Sequence, residues 1–384
     1  MANLYFMTKN YILAIATLMG TIIGVGIFTL PFVVSRAGII SLFIYFPLLS
    51  YLQYLLHLHF AEIILSTRDK HRLPGYAEKY VGQNGRSLAF ITEALGGYGS
   101  IIAYIIVGGI FLHQLLSSLI GGNLLFYTTV LFIFEAGVVF FGLRLIASLE
   151  LILTLFLVIV IGLIIWKGYN FINLDNYQLV NFKNIFLPYG PIFFAVGGGA
   201  AIPEICRLLD KEKKKIKSAI AWGTFIPAFI MMIFAITIVG ITGVNTSEDA
   251  LNSLKLIFSN GIITLAYLFG LFAIFTSFIV IAQALKEIYI WDLKINRSLA
   301  WALACLIPYL LFLSGWNNLI KIVGFTGAVT GGLSGIILIW LLFKVKARPD
   351  IKSPIKNKLT KIKACFLSLL FILGLIYEIW NLTH

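Results

Sequence analysis

Residues 20–31 read Gly20-Thr21-Ile22-Ile23-Gly24-Val25-Gly26-Ile27-Phe28-Thr29-Leu30-Pro31, inside an apolar segment that is long enough to cross a membrane. A glycine in a helix interior costs about 1 kcal/mol relative to alanine, and Pro31 has no backbone N–H to donate. Irregular backbone at membrane depth is tolerated only where it is buried in protein or lines a cavity. The stretch therefore predicts a membrane helix that opens near Gly24 and Gly26, with free N–H and C=O groups turned toward a ligand.

The composition is that of an integral membrane protein. Of the 384 residues, 60% are hydrophobic and 12% are charged, whereas ordinary globular domains carry about 25% charged residues. A helix needs about 20 apolar residues to cross a hydrocarbon core of about 30 Å. This length predicts eleven membrane spans, near residues 11–34, 38–66, 88–119, 124–143, 145–166, 187–208, 218–243, 259–285, 298–314, 318–343 and 364–381.

The distribution of positive charge predicts the orientation. With the N-terminus in the cytoplasm, all but five of the 29 Lys and Arg residues fall on the inner side, the five being Arg36, Lys167, Lys183, Lys255 and Lys321. This split follows the positive-inside rule, and eleven spans then leave the C-terminus outside. We expect a multi-pass protein of the cell membrane, whose net charge of +13 reflects topology and anionic lipid rather than a nucleic-acid partner.

A second broken segment forms the sixth span and includes Pro191, the glycines 197–199 and Pro203. It crosses the membrane in the opposite direction to the first span. Two glycine-broken helices at matching positions of two halves indicate an inverted repeat with a binding site near the midplane. We expect a single transmembrane transporter domain, with one repeat at about 11–166, a second at about 187–343 and an extra helix at about 364–381, after the basic linker Lys344–Lys363.

The two breaks together predict a binding site for an α-amino acid. N–H groups around Gly24–Phe28, at the positive end of a half-helix, suit a carboxylate, and carbonyls freed at Ala195–Gly199 suit an ammonium group. Alternatively, the glycines only permit a kink or close helix packing. The candidate substrate-binding residues on the breaks are Thr21, Gly24, Val25, Gly26, Ile27, Phe194, Ala195, Val196, Gly197 and Gly198.

The first-span motif resembles the first-helix signature of amino acid permeases of the amino acid–polyamine–organocation superfamily, and Phe193-Phe194-Ala195 with Pro203-Glu204-Ile205 is similar to the same proteins. Within the superfamily, the chain resembles the amino acid/auxin permease and the bacterial hydroxy/aromatic amino acid permease families. The likeness implies an all-α membrane fold of the leucine-transporter type, with a five-plus-five inverted repeat, and cation-coupled symport by alternating access.

The resemblance also implies an ion site and a further substrate contact. The same fold class often holds sodium between spans one and eight, and the matching groups here are Gly20, Ile23, Ala273, Thr276 and Ser277. Such an all-oxygen set suits a hard cation, although membrane hydroxyls also bond back to their own helix. Tyr104 of span three is expected beside the substrate carboxylate by the same likeness and by its depth, the alternative being a plain packing role.

Intramembrane acids offer a proton as the other coupling ion, because an ionisable residue at membrane depth is costly and usually functional. Glu135 lies nearest the midplane of its span, and Glu204 follows the sixth-span break. Both are candidate proton carriers, although Glu204 also suits a gate or a partner for Arg207. Acids expected to pair with loop Lys or Arg at the cytoplasmic boundary are Glu62, Glu93, Glu150 and Glu287.

Two functions fit these features, a transporter that imports amino acids and a non-transporting amino-acid sensor of the same fold, as in spore-germination receptor components. The ion-site pattern favours the transporter, and Phe28, Phe193 and Phe194 favour hydrophobic or aromatic substrates. No catalytic set or phosphate-binding loop is present, so neither enzyme activity nor a cofactor is expected. The expected partners are the amino acid and the lipid bilayer, with the oligomeric state undefined.

Three local patterns predict further structure. Pro74 and Gly82 bound an expected interfacial helix on the inner side. Residues 246–249 resemble a capping box that starts a helix running to about Phe258. In the tenth span, glycines recur at every fourth position and indicate close helix packing, at Gly327, Gly331 and Gly335.

Overall fold

The computed structural model describes residues 2–142, 146–255, 257–258, 260–348, 355 and 359–383, and within these ranges the chain is helical, without strands. The α-helices are α1 (Ala2–Ile22), α2 (Gly26–Ala37), α3 (Ile39–Leu65), α4 (Leu73–Val81), α5 (Gln83–Ile120), α6 (Leu124–Phe141), α7 (Ile146–Gly168), α8 (Tyr189–Ala195), α9 (Ile202–Leu208), α10 (Lys213–Thr242), α11 (Asn260–Glu287), α12 (Arg297–Leu313), α13 (Leu319–Phe325), α14 (Gly332–Lys346) and α15 (Lys361–Thr383). Two π-helical turns, Ile288–Asp292 and Thr326–Gly331, extend α11 and join α13 to α14. Much of the predicted linker Lys344–Lys363 lies outside the described residues.

In the described part of the chain, nine helical segments are long and apolar enough to cross a membrane, and the bent pair α1–α2 makes a tenth. At the place of the ninth predicted span lies α12, an apolar helix of 17 residues, which is about 26 Å long at a rise of about 1.5 Å per residue. This length falls short of a hydrocarbon core of about 30 Å. The predicted number of eleven full spans is therefore not confirmed.

The helix predicted between Pro74 and Gly82 is confirmed as α4. Its interfacial position on the inner side stays a prediction. Pro74 occupies its first turn, and Gly82 follows its last residue with φ +96°, a backbone conformation that suits glycine. Its buried face packs on α5 and α14. Arg72 immediately precedes α4, so we name this end of the bundle the Arg72 end. The opposite end, which carries the loop around Asp249, is named the Asp249 end.

The helix predicted from residue 246 to about Phe258 is wrong for the described residues of that loop. Thr246 Oγ1 donates a hydrogen bond back to Gly243 O (2.7 Å) instead of capping a helix. Ala250 has φ +59°, which interrupts any right-handed helix. Among the described residues after this point, a short 3-10 turn forms at Asn252–Leu254.

Close helix packing at the glycines of the tenth span is confirmed. A Cβ atom built on Gly331 would lie 3.0 Å from the ring of Phe193, and the backbone of Gly327 meets that of Gly190. The π-helical turn between α13 and α14 therefore lies directly against α8. This contact brings the tenth span next to the broken sixth span.

Candidate functional site

The first span is broken between α1 and α2, as predicted. Helix α1 ends at Ile22, α2 begins at Gly26, and the two axes differ by 51°. Val25 at the N-cap of α2 provides no side-chain hydrogen bond to the helix. The first N–H groups of an α-helix have no acceptor within the helix and lie at the positive end of its dipole. The N-terminus of α2 is therefore suited to hold an anionic group.

The sixth span is broken between α8 and α9. Helix α8 ends at Ala195, and α9 begins at Ile202. In the connecting segment Gly197 N donates to Phe194 O, and Ala201 N donates to Gly198 O, both at 3.0 Å. The segment follows the C-terminus of α8, where helical carbonyls lack intrahelical donors and the dipole is negative. It is suited to hold a cationic group.

The two breaks are in direct contact. A Cβ atom built on Gly26 would lie 2.6 Å from Ala195 Cα and 2.7 Å from Ala195 Cβ, so glycine permits an approach that other residues would block. On another side of the first break, Tyr104 Cε1 is 3.6 Å from the position of a Cβ built on Gly24. The positive end of α2 and the negative end of α8 consequently border one space.

A cavity of about 230 Å³ occupies this space and extends toward the Arg72 end. The predicted substrate-binding residues that line it are Thr21, Gly24, Val25, Gly26, Tyr104, Phe194, Ala195, Gly197 and Gly198. Two others, Ile27 and Val196, do not line it and belong to the hydrophobic core. The structure thus brings together the groups expected at both breaks, except for these two side chains.

An aromatic cluster lies between the first break and the Asp249 end, where Tyr267 donates to Asn252 Oδ1. Phe28 packs edge to face against Phe111, with 4.9 Å between the ring centroids, and against Phe234 at 6.5 Å. Phe111 in turn contacts Tyr267 at 5.2 Å. All four rings are buried, and none of them lines the cavity.

Arg72 lines the other end of the cavity. Its Nη2 donates to Glu287 Oε2 at 2.7 Å and its Nη1 donates to Ala200 O at 3.1 Å, so it ties the end of α11 to the sixth-span break. The expected pairing of Glu287 with a loop cation is therefore confirmed. Glu62 pairs similarly with Lys346, at 3.5 Å, whereas Glu93 accepts a hydrogen bond from Ser334 Oγ at 2.9 Å.

Two residues of α3 contact the sixth-span break and were not predicted from the sequence. Gln53 Nε2 donates to Phe193 O, and His57 Nε2 accepts from Gly198 N, both at 3.1 Å. Both side chains are buried and line the cavity. The available signal was their spacing: polar side chains four residues apart share one face of an otherwise apolar helix.

Of the candidate ion-binding side chains, Ser277 lies at the first break, whereas Thr276 is bonded to its own helix. Ser277 Oγ is buried, has no hydrogen-bond partner among the described residues, and lies 3.1 Å from the position of a Cβ built on Gly24. Thr276 Oγ1 donates to Ala273 O at 3.0 Å. This is a bond back to its own helix, the alternative to ion binding that we noted for hydroxyls in membrane helices. Gly20 and Ile23 lie on the first span, where Ile23 is fully buried. The structure thus brings Ser277 to the break.

The two candidate proton carriers have different surroundings. Glu135 on α6 is fully buried, and neither of its carboxylate oxygens has a hydrogen-bond partner among the described residues. Glu204 forms an ion pair with Arg207 at 2.5 Å, and 36% of its side chain is exposed. Neither residue lines the cavity. The contacts of Glu204 are those of a helix-terminal partner for Arg207.

Comparisons with known proteins bear on this arrangement. A family profile described as the tryptophan/tyrosine permease family matches residues 7–380. Tyrosine-specific transport system 1 of Haemophilus influenzae is 26% identical over 354 residues, which cover 85% of this chain and 86% of that protein. A crystal structure of MhsT in complex with L-phenylalanine superposes with a TM-score of 0.72 at 14% identity, covering 96% of this chain and 97% of that one. This likeness confirms the expected all-α fold of the leucine-transporter type.

Proposed function

Since this chain belongs to the tryptophan/tyrosine permease family, we propose that it imports aromatic amino acids across the cell membrane in symport with a cation. Family membership confirms the resemblance seen in residues 20–31, and it makes the chain an amino acid permease rather than an enzyme. The observation that carries the proposal is the contact of Gly26 with Ala195, which places two oppositely charged helix ends around one cavity.

In the proposed complex, the substrate lies between the breaks as a zwitterion. Its carboxylate binds the N–H groups at the start of α2, beside Tyr104, and its ammonium group binds carbonyls after α8. The ring extends along Gly97, Ser100 and Gly327, which line the same cavity. The relatives support this substrate class, because one is named for tyrosine and another was crystallised with phenylalanine.

A competition experiment tests this binding mode. We expect tyrosine, tryptophan and phenylalanine to displace labelled tyrosine from the purified protein. Tyramine lacks the carboxylate and 3-(4-hydroxyphenyl)propionate lacks the ammonium group, so each should bind about 10–100-fold more weakly, since a hydrogen bond to a charged group contributes about 1.5–3 kcal/mol. Equal displacement by tyramine would contradict a carboxylate site at α2.

For coupling, we propose sodium bound between the first break and α11, with Ser277 Oγ and carbonyl oxygens of residues 20, 23 and 273 as ligands. The support is a buried hydroxyl that lacks a partner among the described residues and lies against Gly24. A cation there would tie α1 to α11. The alternative ion is a proton carried by Glu135, whose buried carboxylate also lacks a described partner.

For transport, we propose alternating access with two closures. The ring cluster of Phe28, Phe111 and Phe234 closes the path to the Asp249 end, and the Arg72–Glu287 pair closes the path to the Arg72 end. We place the Arg72 end and the N-terminus in the cytoplasm, because the basic loops gather there and the positive-inside rule assigns them to that side. Two repeats, at about 11–166 and 187–343, would rock against each other.

A further inference from the structure

We infer that Gln53 and His57 of α3 are positioning residues that fix the backbone of the sixth-span break in its substrate-binding geometry. Gln53 holds the carbonyl of Phe193 before the break, and His57 holds the N–H of Gly198 after it, each at 3.1 Å. The inference rests on the proposed function, because the break is the proposed ammonium site. It assigns to α3 a role that neither break could perform alone.

The hydrogen bonds define the protonation of His57. A backbone N–H such as that of Gly198 can only donate, so His57 Nε2 must carry a lone pair. The proton of the neutral ring is therefore on Nδ1, which lies 3.1 Å from Thr224 Oγ1 and donates to it. Thr224 is fully buried and lies on α10. Gly198 thus selects the tautomer of His57, and Thr224 accepts the hydrogen bond from the Nδ1–H that this tautomer carries.

The two side chains of α3 satisfy backbone groups at both edges of the sixth-span break. A buried backbone group without a hydrogen-bond partner is costly, so the groups at the two edges of the break need acceptors and donors from elsewhere. Gln53 and His57 supply them, since they are one helical turn apart on α3 and reach Phe193 and Gly198 respectively. The carbonyls between these two anchors are the ones proposed to meet the ammonium group, apart from Phe194 O, which accepts from Gly197 N. Loss of an anchor lets them turn toward other donors.

Substitutions at position 57 separate positioning from packing. The Oε1 of glutamine reaches about as far as Nε2 of histidine and accepts a hydrogen bond, whereas asparagine is too short to meet Gly198. We expect His57→Asn to weaken tyrosine binding about 10–100-fold, as for an orphaned buried donor, and His57→Gln to keep the dissociation constant within about threefold. Thr224→Val should weaken binding about 10-fold, because it leaves the buried Nδ1–H of His57 without an acceptor and so no longer holds the ring toward Gly198.

His59 provides the matched control. It is a buried histidine on the same helix, its Nδ1 has no hydrogen-bond partner among the described residues, and it does not line the cavity. His59→Asn should leave the dissociation constant for tyrosine unchanged. Thermal unfolding of each purified variant shows whether it is folded. If His57→Asn fails to fold, Thr224→Val tests the anchor through the other nitrogen of the same ring.

The outcomes distinguish this inference from the proposed function. If the wild-type protein does not bind labelled tyrosine, the proposed function fails. If it binds, and folded His57→Asn and Thr224→Val bind as tightly as wild type, the anchoring role is overturned while the function stands. Loss of binding in His57→Asn with retention in His57→Gln supports anchoring, because both variants remove the imidazole but only one restores the acceptor. Equal loss in both overturns it.

Discussion

Gly26→Ala is expected to reduce tyrosine binding by about 100-fold, since overpacking a tight contact costs about 1–3 kcal/mol and the obstructing atom here belongs to the backbone. The added Cβ would lie 2.6 Å from Ala195 Cα. A flexible side chain could rotate away from such a contact, but the backbone of α8 cannot. The two breaks would therefore separate, and the carboxylate and ammonium sites would no longer match one amino acid.

Glycines that meet no neighbour supply the controls for this prediction. A Cβ on Gly137 of α6 or on Gly162 of α7 would meet no heavy atom of another described element within 4 Å. Alanine at these helical positions should leave binding unchanged and favour the helix by up to about 1 kcal/mol. The measurement is the dissociation constant for labelled tyrosine on purified protein. Wild-type affinity in folded Gly26→Ala would contradict the proposal that the site lies between the breaks.

Ser277→Ala is expected to raise the sodium concentration that half-saturates tyrosine uptake by about 10–100-fold, because a lost charge-assisted contact is worth about 1.5–3 kcal/mol. The substitution removes one buried oxygen beside the first break and changes little else. Thr276→Ala should have a smaller effect, since Thr276 Oγ1 already donates to Ala273 O. The substrate affinity at saturating sodium should change less than the sodium dependence.

Ser50→Ala is the matched control, because Ser50 Oγ is another buried hydroxyl without a partner among the described residues and Ser50 does not line the cavity. It should leave the sodium dependence unchanged. An unaltered sodium dependence in Ser277→Ala would contradict a sodium site at Ser277. If uptake instead follows a proton gradient and stops in Glu135→Gln, the coupling ion is the proton.

The breaks were predictable because they depend on local chemistry. Glycine and proline weaken a membrane helix wherever they occur, so Gly24, Gly26 and Pro203 marked both broken spans before any contact was known. Helix α4 was predictable for the same reason, from Pro74 and Gly82. Such signals act within one or two helical turns and need no knowledge of distant residues.

The anchors and the outer loop were not predictable in this way. His57 is partnered by Gly198 and Thr224, which lie far away in the sequence. Its role therefore depends on how α3, α10 and the sixth-span break meet. Residues 246–249 carried a capping pattern, but the left-handed conformation of Ala250 ends any helix there. For Ser277, the pattern gave the correct neighbourhood, yet the different bonding of Thr276 emerged only from the structure.

The most direct test is accumulation of labelled tyrosine by proteoliposomes that contain the purified protein, with an inward sodium gradient, an inward proton gradient, or neither. We predict accumulation above the external concentration with sodium, abolished by Gly26→Ala and retained in Gly137→Ala. Accumulation with the proton gradient alone would support the transport function and would show that the coupling ion is the proton rather than sodium. Specific tyrosine binding without accumulation under either gradient would contradict transport and identify the protein as an amino-acid sensor.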